Sequence, residues 1–160
     1  MSNITTTTEI VSAMESAWNG QTAPDFGTFH FGTPQEVDNI HNKALPMMMV
    51  YIPDTRFETK DIQSSQWLAK TNWTVVIYNN LPSTYNVTDD QAILGLWDTM
   101  ENLLLLWYSS VCNTFENNGQ ILNQTAPLNV TRLKEASNDR LLGLKATFGL
   151  DFYRGCLILR

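Results

Sequence analysis

The 160-residue sequence contains few of the residues from which catalytic and metal sites are built. It has two histidines and two cysteines, and neither a glycine-rich phosphate loop nor a Gly-x-Ser-x-Gly nucleophile motif occurs. His30 and His41 are eleven residues apart on different predicted elements, without a cysteine beside them, which does not match the spacing of a metal site. We therefore expect a protein that is not an enzyme, with no catalytic residue, no metal and no cofactor.

Charged residues are also scarce, at 16 % of the chain against about 25 % in a typical soluble domain. The ten basic residues are spread without a cluster, so we expect no specific binding to nucleic acid. A net charge of −6 would instead repel DNA that passes close by. A surface rich in amides and hydroxyls loses less hydration energy when another protein covers it, which favours a role in assembly.

Long hydrophobic runs are absent as well. Residues 103–108, a run that no other exceeds, are far fewer than the roughly 20 residues that span a bilayer, so no membrane contact is predicted. Cys112 and Cys156 are the two cysteines. We interpret them as buried thiols, with a disulfide between them as the alternative.

The elements that remain predict one α+β domain over residues 1–160. Thr6-x-x-Glu9 is a capping box for an N-terminal helix, and a longer helix is predicted over residues 89–115. Strands are predicted over residues 26–31, 47–52 and 66–78, a short helix over 34–42, a polar loop over 54–65, and a β-hairpin over 128–154. The expected fold is a mainly antiparallel sheet of four to five strands, packed by the long helix and the N-terminal helix.

The long helix is too apolar to be covered on one side. Residues 103–106 are four consecutive leucines, which makes this stretch apolar nearly all round. We expect the sheet to cover one side of it and another helix or a second subunit to cover another.

Three groups of residues are candidates for subunit contacts. Met47 and Met49 belong to a run of three methionines, which either fills the core or forms an adaptable interface. Arg56 and Phe57 lie in the polar loop, which we expect to reach a partner. Lys134, Asp139 and Arg140 lie near the hairpin tip, either solvated or paired with the charges of a neighbouring subunit.

In its order of elements the chain resembles the tail-terminator and tail-completion proteins of tailed bacteriophages. The residues that carry the likeness are Leu45-Pro46 before the strand over 47–52, the strand over 73–78, the helix over 89–115, Asn138-Asp139-Arg140-Leu141, and Leu144, Ala146, Phe148 and Leu150. The Asn-rich composition would suit a phage of an A/T-rich gut bacterium, such as a crAss-like phage.

The resemblance implies a structural virion protein without catalytic residues. It would form a homo-oligomeric ring of six or twelve copies in the neck or tail, as a head–tail connector between the portal or an adjacent ring and the tail. DNA would pass through such a ring. The alternative from another class is a small-ligand-binding α+β module, with Trp67, Trp73, Phe148 and Tyr153 on a sheet opposite the long helix. A third hypothesis is a hydrolase whose activity would depend on His30 or His41.

Overall fold

A computed structural model describes residues 6–21, 29–36, 45–59, 66–80, 90–117, 121–123, 128–133 and 141–155. These residues form two helices, α1 (Thr7–Gly20) and α2 (Asp90–Asn117). They also form seven strands: β1 (Phe29–Gly32), β2 (Met47–Tyr51), β3 (Asp54–Glu58), β4 (Gln66–Asn80), β5 (Ile121–Asn123), β6 (Asn129–Leu133) and β7 (Leu141–Gly155). The predicted α+β class is confirmed.

The seven strands occupy five positions across one sheet. From one edge to the other these are β1, then β2 and β3 end to end, then β4, then β7, then β5 and β6 end to end. β1 and β2 are parallel, and every other pair among the described strands is antiparallel. The mainly antiparallel sheet is therefore confirmed, whereas the predicted number of four to five strands is wrong.

The two strands missing from the prediction are β3 and β5, which lie in stretches that we interpreted as loops. β3 occupies the first five residues of the predicted loop over 54–65, and residues 60–65 lie outside the described part of the chain. β5 lies within the predicted loop between α2 and the hairpin. Both strands are short, and β3 is exposed, so neither shows the apolar alternation that marks a half-buried strand.

A β-bulge separates β2 from β3. Val50 pairs with Val75 and Asp54 pairs with Asn72, so three residues of one strand lie opposite two of the other. The extra residue reverses the side to which alternate side chains point. Met49 in β2 and Arg56 in β3 therefore face the same side of the sheet, although one position is odd and the other even.

The centre of the fold is the pairing of β4 with β7. The two strands pair without interruption over their whole length, from Gln66 opposite Gly155 to Asn80 opposite Leu141. This confirms the prediction that the strand over 66–78 is central. It also confirms the C-terminal hairpin, because β6 pairs with β7 from Asn129 opposite Thr147 to Leu133 opposite Gly143.

One face of the sheet, here called the helix side, packs against both helices and forms the main core. Its buried strand residues are Met48, Val50, Ala69, Trp73, Val75, Ile77, Leu142, Leu144, Ala146, Phe148, Leu150 and Phe152. The opposite face, here called the outer face, has a second and smaller cluster of Met47, Met49, Val76, Tyr78 and Leu141. Apolar residues on both faces explain why the central strands are nearly continuous hydrophobic runs.

A cap closes the N-terminus of α1, and two tryptophans of α2 attach that helix to α1 and to β7. The predicted capping box is present at α1, where the Glu9 amide donates to the Thr6 hydroxyl over 3.2 Å and the Thr6 amide to the Glu9 carboxylate over 3.1 Å. In α2, Trp107 Nε1 donates to the Met14 carbonyl oxygen (2.9 Å), which joins the helices. Trp97 Nε1 donates to the Gly143 carbonyl oxygen (3.2 Å), which joins α2 to β7.

The predicted short helix over 34–42 lies outside the described residues beyond Glu36. Within the described part, the Thr33 amide donates to the Glu36 carboxylate over 3.0 Å, as expected for a helix start. In the described part of the chain, neither helix is long and apolar enough to cross a membrane.

Candidate interaction surfaces

The first exposed edge of the sheet is β3. Asp54, Thr55, Arg56 and Phe57 are all exposed, and Glu58 is half-buried. Asp54, Arg56 and Glu58 lie on the outer face, because they pair with Asn72, Lys70 and Leu68. Thr55 and Phe57 lie on the helix side, opposite Thr71 and Ala69. This strand therefore presents three charges on one face and an aromatic ring on the other.

The charges of β3 form a small network with the next strand. Arg56 contacts Glu58 two residues along the same face, and Lys70 Nζ lies 3.3 Å from the Glu58 carboxylate. The hydrogen bond from Lys70 and the nearby positive charges hold the pKa of the Glu58 carboxyl below its ordinary value. Because these groups face water, the network contributes little to stability. It does orient the Arg56 side chain along the strand.

The second exposed edge is β6, on the opposite side of the sheet. Four of its five residues are exposed, and Leu133 is half-buried. Val130 and Arg132 lie on the helix side, opposite Ala146 and Leu144. Arg132 reaches across to contact Glu101 of α2, so the edge strand is tied to the helix that covers the sheet.

The structure separates the candidate interface residues into three groups. Arg56 and Phe57 are exposed on β3, and Phe57 has 53 % of its surface accessible. Met47 and Met49 are buried in the outer-face cluster, which favours the core alternative for the methionine run. Lys134, Asp139 and Arg140 lie outside the described residues.

A third exposed surface lies along α2. Of the four leucines, Leu104 is buried and Leu103 is half-buried against the core, whereas Leu105 and Leu106 are 53 % and 59 % exposed. Leu94 is also exposed, about three turns before Leu105. The sheet and α1 therefore cover only part of the apolar surface predicted for this helix. The run of four leucines indicated this apolar surface. The sequence did not indicate which of the leucines would be exposed.

Of the four aromatic residues of the ligand-binding alternative, Trp73 and Phe148 line a common cavity of about 260 Å³, and Trp67 and Tyr153 are not part of its lining. Trp73 and Phe148 are buried on the helix side, and the Phe148 ring packs edge to face against Trp107 and Tyr108 at centroid distances of 6.0 and 5.0 Å. Tyr153 pairs with Leu68 and faces the outer side. The Phe148 ring is therefore held between β7 and α2 by ring contacts with the helix.

A shallow groove lies on the outer face, with a volume of about 410 Å³. Its lining is polar and consists of Asp54, Thr55, Arg56, Lys70, Thr71, Asn72, Gly149 and Asp151. A small-molecule site is usually enclosed and mostly apolar. This groove is better described as the polar surface beside the β3 edge.

Two of the four histidines and cysteines of the sequence, His30 and Cys112, lie among the described residues. His30 lies on β1, and His41 is outside the described residues. Burial raises the pKa of Tyr108 to about 12, with the thiol of Cys112 adding to the effect. Cys112 is a buried thiol, and Cys156 lies outside the described residues. In the described part of the chain, no three His, Cys, Asp or Glu side chains are placed to hold a metal ion.

Comparison with known proteins gives no family for this chain: no family model matches the sequence, and no curated protein is significantly similar to it.

Proposed function

We propose that this protein is a non-enzymatic structural component of the virion of a tailed phage. It assembles into a homo-oligomeric ring of six or twelve copies in the neck or tail, with a tail-terminator-like fold. One side of the ring contacts the portal or an adjacent ring protein, and the other contacts the tail. DNA passes through the ring without specific binding.

The observation that carries the proposal is that each side of the sheet has an exposed five-residue strand that pairs with one strand among the described residues, β3 with β4 and β6 with β7. Exposed strand edges are templates for pairing with another chain, and monomeric proteins commonly cover them or keep them very short. Two different edges on opposite sides suit a head-to-tail contact, which closes into a ring when the repeated rotation is right.

The exposed leucines of α2 support the same proposal. Leu94, Leu105 and Leu106 lie on a helix whose inner face already packs against the sheet. In a ring they are available for contact with a neighbouring protein. Around Leu106 the exposed neighbours Asn102, Ser109 and Asn113 are uncharged, so covering that part of the helix costs less desolvation than covering charges would. Asp98 and Glu101 lie one turn from Leu94 and Leu105.

The experiment is to measure the mass of the purified protein by light scattering over a range of concentrations, and to image large species by negative stain. We expect closed rings of uniform size. A protein that stays monomeric up to millimolar concentration, and whose peptides are missing from purified phage particles, would contradict the proposal.

The ligand-binding alternative predicts a different result in the same preparation. A monomer with a saturable rise in melting temperature on addition of small apolar ligands would support it. The burial of the Trp73 and Phe148 rings leads us to expect no such rise.

A further inference from the structure

The two exposed edges are related in direction. β3 is antiparallel to β4, β4 to β7, and β7 to β6, so β3 and β6 run in opposite directions within one chain. When a second copy is placed beside the first with its strands pointing the same way, its β3 lies antiparallel to the first copy's β6. Among the described residues, no backbone hydrogen bond is made to the outer edge of either strand, which is compatible with such pairing.

The faces of the two strands also match. A continuous sheet keeps its helix side on one face, so Val130 and Arg132 of β6 must lie beside Thr55 and Phe57 of β3. The antiparallel register that pairs all five residues of each strand satisfies this condition. It places Val130 directly opposite Phe57, and these are the exposed large hydrophobic residues of the two strands. A directly opposite aromatic and β-branched pair is stabilising in a sheet.

The charges of β3 disfavour the simplest competing contact. If two β3 strands paired with each other in full antiparallel register, Arg56 would lie opposite Arg56 and Asp54 opposite Glu58. Every charge would then face a like charge, which is destabilising. β6 places Asn129, Thr131 and Leu133 on the same face, so it meets these charges with neutral side chains.

We infer that copies of this chain join head to tail by antiparallel pairing of β6 with β3 of the next copy, with Asn129 opposite Glu58 and Leu133 opposite Asp54. This inference rests on the proposed ring and names the contact that builds it. The partner is a second copy, because a single chain supplies both edges with opposite direction, equal length and matching faces.

The pairing also defines how the strands are inclined in the ring. The centre of β3 lies opposite Lys70 and the centre of β6 lies level with Val76, a stagger of six residues or about 20 Å. From β3 to the β3 of the next copy there are four strand spacings, about 19 Å. In a closed flat ring every copy lies at the same height along the axis. A stagger of about 20 Å over a width of about 19 Å then requires strands inclined at about 45° to the ring axis, close to the 35–45° of closed barrels.

Disulfide trapping tests this register. In a background with Cys112→Ala and Cys156→Ser, one protein carries Thr55→Cys and a second, larger tagged protein carries Arg132→Cys. These two positions are directly opposite in the inferred pairing and on the same face. After mild oxidation of the mixture we expect a mixed disulfide-linked dimer, at least tenfold more abundant than same-protein dimers of either variant alone.

The matched control replaces Arg132→Cys by Thr131→Cys. Thr131 is the residue before Arg132 in β6 but points to the outer face, so its crosslink to the Thr55→Cys protein should be at least tenfold weaker. Equal crosslinking of the two positions, or a predominance of same-protein dimers, overturns the inferred register.

A second measurement does not depend on disulfides. Phe57→Asp and Val130→Asp should each raise the concentration needed for half-maximal assembly at least tenfold, whereas Ile52→Asp should not. Ile52 is 60 % exposed and lies outside both strands. Rings that survive both Asp substitutions and form no crosslink overturn the inferred contact while leaving the proposed ring in place. A monomer without crosslinks overturns both.

Discussion

At the scale of single residues, one polar side chain is built into the core. Thr71 is 2 % exposed on the helix side of β4. Its hydroxyl donates to the Leu150 carbonyl oxygen over 2.8 Å and accepts from Trp73 Nε1 over 2.8 Å. A buried indole N–H needs a partner, so this threonine allows the large ring of Trp73 to be placed inside the sheet–helix interface.

Thr71→Val keeps the shape of the side chain and removes the acceptor of the indole N–H. We expect the free energy of unfolding to fall by about 1–3 kcal/mol, because a buried donor loses its partner. Urea denaturation followed by tryptophan fluorescence measures it.

The matched control is Thr74→Val on the opposite face of the same strand. Thr74 is half-buried, so a change of less than about 0.5 kcal/mol is expected. Equal losses at Thr71 and Thr74 would show that the hydroxyl of Thr71 has no special role.

At the scale of elements, helices and strands differ in how clearly the sequence shows where they begin and end. The N-terminus of α1 has a complete capping box, whereas the junction of β2 and β3 is marked only by Pro53, which has no amide hydrogen to donate. The sequence analysis therefore predicted α1 correctly and predicted a loop where β3 lies. Edge strands pair on one side only, and their exposed side chains need not alternate between apolar and polar.

Thr6→Ala removes the capping oxygen of α1. We expect a loss of about 1 kcal/mol in the free energy of unfolding, because the Glu9 amide is left without its acceptor. Thermal denaturation followed by circular dichroism gives the value.

Thr8→Ala is the control for the loss of a threonine from the same turn. Thr8 is exposed inside the helix, and alanine is the better helix former, so this variant should be as stable as the parent or slightly more stable. A loss at Thr8 as large as that at Thr6 would argue against the capping role.

At the scale of the whole molecule, the apolar surface exceeds what one chain covers. Among the described residues, the core on the helix side buries most of the large hydrophobic side chains. Leu105 and Leu106 of α2 nevertheless remain exposed. In the proposed assembly we expect these leucines to be covered by another protein.

Leu105→Gln with Leu106→Gln should leave the fold unchanged. We expect a change in the free energy of unfolding within about 0.5 kcal/mol, because neither side chain is part of the core. Binding of a hydrophobic fluorescent dye should fall, since the apolar patch is reduced.

Leu104→Gln is the neighbouring control. Leu104 is fully buried, so an amide there loses core packing and is left to find a partner, at a cost of about 3 kcal/mol or more. A double variant at Leu105 and Leu106 that is as unstable as Leu104→Gln would show that these leucines belong to the core.

The sequence by itself determined the elements whose signals are local. Capping residues, helical spacing and long apolar strands predicted α1, α2, β4 and the β6–β7 hairpin, because hydrogen bonds and burial within a few residues define them. Low charge led to the prediction of an assembling protein, which stays a prediction.

Only the tertiary structure decided which residues meet across the sheet. The pairing of β3 with β4, the bulge that turns Arg56 and Glu58 to the outer face, and the burial of Met47 and Met49 depend on contacts between distant segments. An edge strand is defined by its neighbour and not by its own pattern, so Val130 and Phe57 could be identified as matching edge residues only after register and direction were known.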